Sequence, residues 1–98
     1  MFARIARYEI DAEKVNETVE SFREASTQLV ELDGYKSGYM LVDRETGGFA
    51  TLTVWDNRRS MEASRTRAGA LRQLAVKEGS VISVSEYEIA FDFPARPV

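Results

Sequence analysis

Apolar and polar residues alternate near both ends of the chain, with the two-residue period of a β-strand. The first such segment runs from Phe2 to Ile10, and Arg4 interrupts its apolar face. The last runs from Val81 to Phe93, after which Pro94 would remove a backbone donor. The pattern predicts strands over both segments.

A helical pattern follows the first strand. Apolar residues recur there at steps of three and four, with charged residues outside the stripe. Asp11 is a favourable N-cap, and Asp33-Gly34 supplies a stop signal. The spacing predicts a helix that begins after Asp11 and ends near Leu32.

A second helical pattern follows Asp56 or Asn57, either of which could cap it. It ends at residues 78–80, where a glycine and a serine interrupt the periodicity. Gly69 lies inside this pattern, and glycine costs about 1 kcal/mol relative to alanine in a helix. A break into two pieces is therefore predicted at Gly69.

Between the helices, Tyr35–Asp43 and Phe49–Trp55 are rich in β-branched and aromatic residues, and five polar or glycine residues join them. This arrangement predicts a β-hairpin. The element order becomes βαββαβ, which is typical of an α+β, ferredoxin-like fold with two helices on one face of a four-stranded antiparallel sheet. One domain is expected over residues 1–98, with 94–98 as a short tail.

The hairpin strands carry apolar residues on both faces of the predicted sheet. Tyr39 and Leu41 lie on one face of the second strand, and Met40 and Val42 lie on the other. Helices can cover only one of these faces. We therefore expect a homodimer formed through the sheet face that the helices leave open.

Composition narrows the possible functions. The formal net charge is −3, which gives no electrostatic basis for binding nucleic acid or an anionic membrane. The chain has neither cysteine nor histidine, so thiolate and imidazole metal ligands are absent, as is the usual general base near neutral pH. No cofactor is expected. Because no signal peptide or membrane-spanning stretch is evident, a cytoplasmic location is expected.

Three stretches of the chain resemble the antibiotic biosynthesis monooxygenase domain of the dimeric α/β-barrel superfamily. They are Asp-Gly-Tyr-Lys-Ser-Gly-Tyr at 33–39, Asp-Arg-Glu-Thr-Gly-Gly at 43–48, and Thr-Val-Trp-Asp-Asn-Arg-Arg-Ser-Met-Glu-Ala-Ser at 53–64. The resemblance implies a dimer with a mostly apolar pocket between sheet and helices. It also implies cofactor-independent oxygenation of phenols or quinols as one activity of the family.

The chain departs from the active members of that family at the second helix. Many of them have a histidine near the place of Ser64, and the haem-degrading members have a haem-ligating histidine near that of Leu74. The chain thus resembles the histidine-free members, and haem degradation is not expected.

Candidate substrate-binding residues follow from the pattern and the resemblance together. Trp55 is predicted to wall the pocket, with Tyr39 or Tyr35 as polar contacts. The helices are predicted to contribute Phe22, Met61 and Ser64 to the lining, and Arg65 or Arg72 to hold an anionic group. Each of these side chains could equally serve packing or solvation alone, and no residue is assigned a catalytic role.

Two functions are compatible with these features. The first is a cofactor-independent monooxygenase that holds a small aromatic or phenolic substrate in a dry pocket, where its anion reacts with dioxygen. The alternative is a non-catalytic homodimer that binds a small hydrophobic ligand. Assembly with a different protein is a third possibility. A pocket larger than roughly 300 Å³ is expected for either ligand-binding function.

Overall fold

The computed structural model describes residues 1–76 and 80–97. The four strands are β1 (Phe2–Glu9), β2 (Tyr35–Asp43), β3 (Gly48–Trp55) and β4 (Ser80–Glu88). A 3-10 turn at Ala12–Lys14 leads into helix α1 (Val15–Leu29), and two further helices are α2 (Arg58–Ala63) and α3 (Arg65–Ala75). None of the helices in the described ranges is long and apolar enough to cross a lipid bilayer.

The strands form one antiparallel sheet in the order β2-β3-β1-β4. Helix α1 packs on one face of it, where Val15, Val19 and Phe22 meet the core around Tyr8 and Phe49. This arrangement confirms the predicted α+β, ferredoxin-like fold. We call this the helix-facing side of the sheet.

The chain reverses direction between α1 and β2 at a tight turn. The amide of Leu32 donates to the carbonyl of Leu29, and the amide of Tyr35 donates to that of Leu32. Gly34 has a φ of +79°, which favours glycine, so the predicted stop signal acts as expected. The helix itself ends at Leu29, three residues before the predicted position, because those final residues belong to the turn.

The second helical region breaks at Ser64, and the prediction of a break at Gly69 was wrong. Asn57 caps α2 by accepting a hydrogen bond from the Ser60 amide. At the break, the Met61 carbonyl accepts hydrogen bonds from the Ser64 hydroxyl and from the Arg4 guanidinium. These competing donors interrupt the helix, whereas Gly69 lies inside α3.

Strand β4 ends at Glu88, so the predicted extension to Phe93 was wrong. Glu88 pairs with Phe2, the first residue of β1, and the ladder between the two strands ends at this pair. One further hydrogen bond joins the Ile89 amide to the Met1 carbonyl. Phe91 and Phe93 follow as exposed rings with centroids 5.3 Å apart.

The side of the sheet opposite the helices is apolar and largely uncovered in this single chain. Strand register places Ile5, Leu52 and Val54 on it together with Tyr39, Leu41 and Tyr87. The last three side chains are 63%, 55% and 51% exposed. We call this set of six residues the outer face.

Candidate functional site

A cavity of about 470 Å³ lies between the helix-facing side of the sheet and helices α1 and α3. Its volume falls within the range of small-molecule sites, roughly 300–1,000 Å³. Small residues at inward positions of β2 and β3 leave this space, among them Gly38, Thr51 and Thr53. A Cβ atom at Gly38 would lie 2.9 Å from the Tyr35 hydroxyl, so glycine is what admits that side chain here.

Aromatic rings form one end of the cavity. Tyr8 on β1 and Phe22 on α1 both line it, with ring centroids 5.2 Å apart. Phe49 supports them from β3, stacked on Tyr8 at 5.0 Å and edge-on to Phe22 at 5.8 Å. These contacts fix the two lining rings, so this end offers a rigid apolar surface to a flat ligand.

A polar contact crosses the same cavity. The Arg72 Nε atom on α3 donates a hydrogen bond to the Tyr8 hydroxyl oxygen over 2.9 Å. The Tyr8 hydroxyl also lies 3.2 Å from the Thr51 hydroxyl. Tyr8 is buried and Arg72 is half-buried, and all three residues contribute to the lining. The cavity thus combines apolar rings with a few convergent polar groups, as ligand sites commonly do.

Arg4 reaches the cavity from β1 and is 4% exposed. Its guanidinium donates to the Glu86 carboxylate, to the Ser64 hydroxyl and to the Met61 carbonyl, and lies 5.7 Å from the centre of the Trp55 ring. These partners satisfy a buried charge that would otherwise be costly.

Glu86 is shared by two arginines. Hydrogen bonds from Arg65 lower the pKa of the Glu86 carboxyl most, and Arg4 lowers it further against the opposing effect of burial. Interaction with Glu86 in turn raises the pKa of Arg65. The carboxylate therefore remains ionised while it joins β1, β4 and α3.

Four of the predicted binding residues contribute to the lining: Phe22, Tyr35, Tyr39 and Arg72. Burial raises the pKa of the Tyr35 phenol, so its hydroxyl keeps its proton. Tyr39 borders the cavity from β2, but strand alternation places its side chain on the outer face. Their role in binding a substrate stays a prediction.

The other four predicted residues, Trp55, Met61, Ser64 and Arg65, lie outside the lining. Trp55 has no exposed surface; its Nε1 atom donates to the Thr53 hydroxyl, and its ring meets Tyr35 edge-on at 5.7 Å. Ser64 and Arg65 are engaged with Arg4 and Glu86, respectively. The structure thus gathers these residues behind the cavity wall, where they can position Tyr35 and Arg4.

The sequence offered Arg72 as one of two candidates for binding an anionic group, but Tyr8 was not among the predicted binding residues. Tyr8 and Arg72 are separated by 64 positions, so no local spacing links them. The sequence did indicate that Arg4 is unusual, because it is a charged residue on the apolar face of a strand. Within residues 1–76 and 80–97, no three acidic, histidine or cysteine side chains are grouped to hold a metal ion.

Comparison with known proteins identifies the family to which the chain belongs. The family model described as antibiotic biosynthesis monooxygenase matches residues 1–75. Among curated proteins, the uncharacterised protein Rv2557 of Mycobacterium tuberculosis is 29% identical over 84 residues. That match covers 83% of this chain but 38% of the relative, so the relative is more than twice the length of the matched region.

Solved structures share the fold at low sequence identity. SnoaB, a cofactor-independent oxygenase from Streptomyces nogalater, superposes with a TM-score of 0.78 at 10% identity, covering 96% of this chain and 97% of SnoaB. MhuD, a heme degrader from Mycobacterium tuberculosis, superposes with a TM-score of 0.77 at 15% identity, covering 96% and 100%. At these identities the similarity establishes the fold.

Proposed function

Because the chain belongs to the antibiotic biosynthesis monooxygenase family, we propose that it is a cofactor-independent monooxygenase of a small aromatic, phenolic substrate. The observation that carries this proposal is the 470 Å³ cavity, which is lined by fixed aromatic rings and crossed by the Arg72–Tyr8 contact. A monooxygenase-type activity agrees with the family and with the activity of SnoaB, whose fold this chain shares.

The chemistry needs an electron-rich anion and protection from water. A phenol whose keto tautomer has a CH2 group in the ring can lose one of those hydrogens as a proton to form an enolate, and that carbon then bonds to one atom of dioxygen. Loss of water from the resulting hydroperoxide leaves a carbonyl, so the substrate itself supplies the four electrons. The cavity would hold the ring against Tyr8 and Phe22 and exclude bulk water.

A second candidate function is ligand binding without catalysis. The observation that favours it is the absence of a general base: the cavity lining, as far as the structure describes it, includes no aspartate or glutamate, and the chain has no histidine. In this case the same cavity would bind a small hydrophobic or aromatic molecule and leave it unchanged.

We further propose that the protein is a homodimer assembled through the outer face, since dimers are typical of the family. Exposure of Tyr39, Leu41 and Tyr87 on an otherwise well-paired sheet supports this arrangement. Burial of these side chains against a second copy would remove an apolar patch from water.

The two candidate functions are separated by measuring stabilisation and oxygen consumption together. Quinols and anthrone-like phenols are screened by thermal shift, and every stabilising compound is tested for oxygen uptake. We expect stabilisation and uptake by the same compounds. Stabilisation without uptake would leave only the binding function, and the absence of both would contradict the two proposals together.

A cavity-filling variant shows whether the signal comes from this site. Ala25 is half-buried and lines the cavity from α1, so Ala25→Phe should abolish both the shift and the uptake. Ala63 is exposed on α2 and lies outside the lining, so Ala63→Phe is the matched control and should retain both signals. Equal behaviour of the two variants would place the ligand elsewhere.

A further inference from the structure

The cavity is markedly cationic although the chain as a whole is acidic. Four arginines contribute to its lining, and within the described residues no aspartate or glutamate does. The formal net charge of the whole chain is −3. This concentration of one charge sign in a partly enclosed space favours a ligand of opposite charge.

Three of the four arginines are poorly placed to bind an anion in the cavity, because one is buried with its partners and two are exposed. Arg4 donates to Glu86, Ser64 and Met61. Arg23 pairs with Glu20 one turn away on α1, and Arg44 donates to the side chain of Asn16. Arg4 is buried and its donors are used, whereas Arg23 and Arg44 are exposed, so water and salt screen their charges.

Arg72 is different. Its Nε atom donates to the Tyr8 hydroxyl, and its two terminal nitrogens have no hydrogen-bonding or ionic partner in the part of the chain that the structure describes. Guanidinium groups bind oxyanions through such adjacent donors. The Tyr8 hydroxyl accepts from Arg72, so its own proton can be donated to Thr51 or to a ligand oxygen.

We propose that Arg72 and Tyr8 together bind the oxyanion of an aromatic ligand, whose ring lies against Phe22. The inference deepens the proposed function by naming the ionised form as the species that is bound. It also addresses the missing base, because a cation beside a phenol lowers the pKa of that phenol. The substrate can thus enter the site as an anion or ionise within it.

The oxyanion could be a carboxylate or a phenolate, and matched ligands separate these sources. For the carboxylate, affinities of 2-naphthoate and its neutral amide, 2-naphthamide, are compared by isothermal titration calorimetry. For the phenolate, the affinity of 1-naphthol is measured across its own titration range. In at least one of these two comparisons, we expect the anionic ligand to bind at least tenfold more tightly than its neutral form.

Substitutions at Arg72 then test whether this residue binds the anion. Arg72→Gln should weaken binding of the anion about 10- to 100-fold, the loss expected for a charge-assisted hydrogen bond, and should leave the neutral ligand unaffected. Arg59→Gln removes the same charge from an exposed position on α2 outside the lining, and should change neither affinity. Arg72→Lys should recover part of the affinity, because it restores the charge without the planar guanidinium.

The outcomes distinguish this inference from the proposed function. Equal binding of anion and neutral ligand, or equal loss in the Arg72 and Arg59 variants, overturns the inference even if oxygen uptake is observed. Arg72-dependent binding of the anion supports the inference whether or not oxygen is consumed, whereas the absence of oxygen uptake with stabilising quinols and anthrone-like phenols contradicts only the monooxygenase proposal. Circular dichroism of each variant confirms that a loss of affinity is not a loss of folding.

Discussion

Glu86 accepts two hydrogen bonds from the Arg4 side chain through a single oxygen, Oε2, at 3.1 Å from Nε and 2.9 Å from Nη2. The other oxygen, Oε1, accepts from Arg65 at 2.6 Å. One carboxylate therefore holds a buried arginine on the helix-facing side of the sheet and ties the exposed end of α3 to β4. The cavity wall depends on this ion pair, since Arg4 contributes to the lining.

Acid should weaken the fold through Glu86. Its pKa is lower in the folded chain than the ordinary value of 4.5, mainly because of the hydrogen bond from Arg65. The stabilisation is therefore complete above that ordinary value and is lost as the pH falls through the lower, folded pKa. Urea unfolding between pH 7 and pH 3 should show this loss in the native chain.

Glu86→Gln should lower the free energy of unfolding at pH 7 by about 2–4 kcal/mol, because Arg4 would remain buried without its ionic partner. It should also reduce the dependence of stability on pH. Glu88→Gln is the matched control, since Glu88 is exposed on the same strand, and it should cost less than about 0.5 kcal/mol. Similar losses in both variants would contradict a specific role for Glu86.

Gly69→Ala should stabilise the protein by about 0.5–1 kcal/mol, because Gly69 lies inside α3 and alanine has the higher helix propensity. The added Cβ would meet only the Arg72 Nη1 atom, at 3.9 Å. Gly47→Ala provides the contrast: φ is +80° there, and the new Cβ would lie 2.1 Å from the Ile10 carbonyl oxygen. Thermal unfolding should give shifts of opposite sign.

Leu41→Glu should dissociate the proposed dimer, because it places a charge within the outer face. Sedimentation velocity at low micromolar concentration should detect monomers of this variant and dimers of the native chain. Leu74→Glu is the control: Leu74 is 69% exposed, but it lies on α3, outside that face. A native chain that sediments as a monomer at these concentrations would disprove the dimer directly.

Trp55→Phe should destabilise the protein by about 1–3 kcal/mol, because Trp55 is completely buried and supports both Tyr35 and Arg4. Tyr35→Phe keeps the ring and removes only a hydroxyl, and should cost less than about 1 kcal/mol. Far-UV circular dichroism should monitor urea unfolding, since Trp55 is the single tryptophan of the chain. Equal losses would mean that Trp55 contributes little beyond the Tyr35 contact.

Local signals predicted much of the fold. The periodicity of α1 and the composition of the hairpin depend on neighbouring residues alone, and both elements form nearly where they were expected. The end of β4 could not be predicted in this way, because the alternating pattern continues to Phe93 while the pairing partner stops at Phe2. The break at Ser64 likewise depends on Arg4, a residue 60 positions away.

The candidate site, like the fold, was predictable only where it depends on residues that are close together in the sequence. Phe22 lies on the apolar stripe predicted for the first helix, and it contributes to the cavity. Simple alternation would place Tyr35 on the same face as Tyr39, and Tyr35 turns toward the cavity because the register of β2 shifts between Tyr35 and Ser37. Trp55 also faces inward, but its position behind Tyr35 depends on how the rings pack in three dimensions. The contact between Arg72 and Tyr8 joins two elements that meet only in the folded chain, so no spacing along the sequence could reveal it.

The position of β1 in the middle of the sheet has a consequence for synthesis on the ribosome. This strand is made first, yet it is hydrogen-bonded along one edge by β3 and along the other by β4. The carboxylate that neutralises Arg4 is added 82 residues later. A nascent chain that ends between β3 and β4 therefore exposes an unpaired strand edge and an uncompensated arginine, so chaperones have the most to protect during that interval of synthesis.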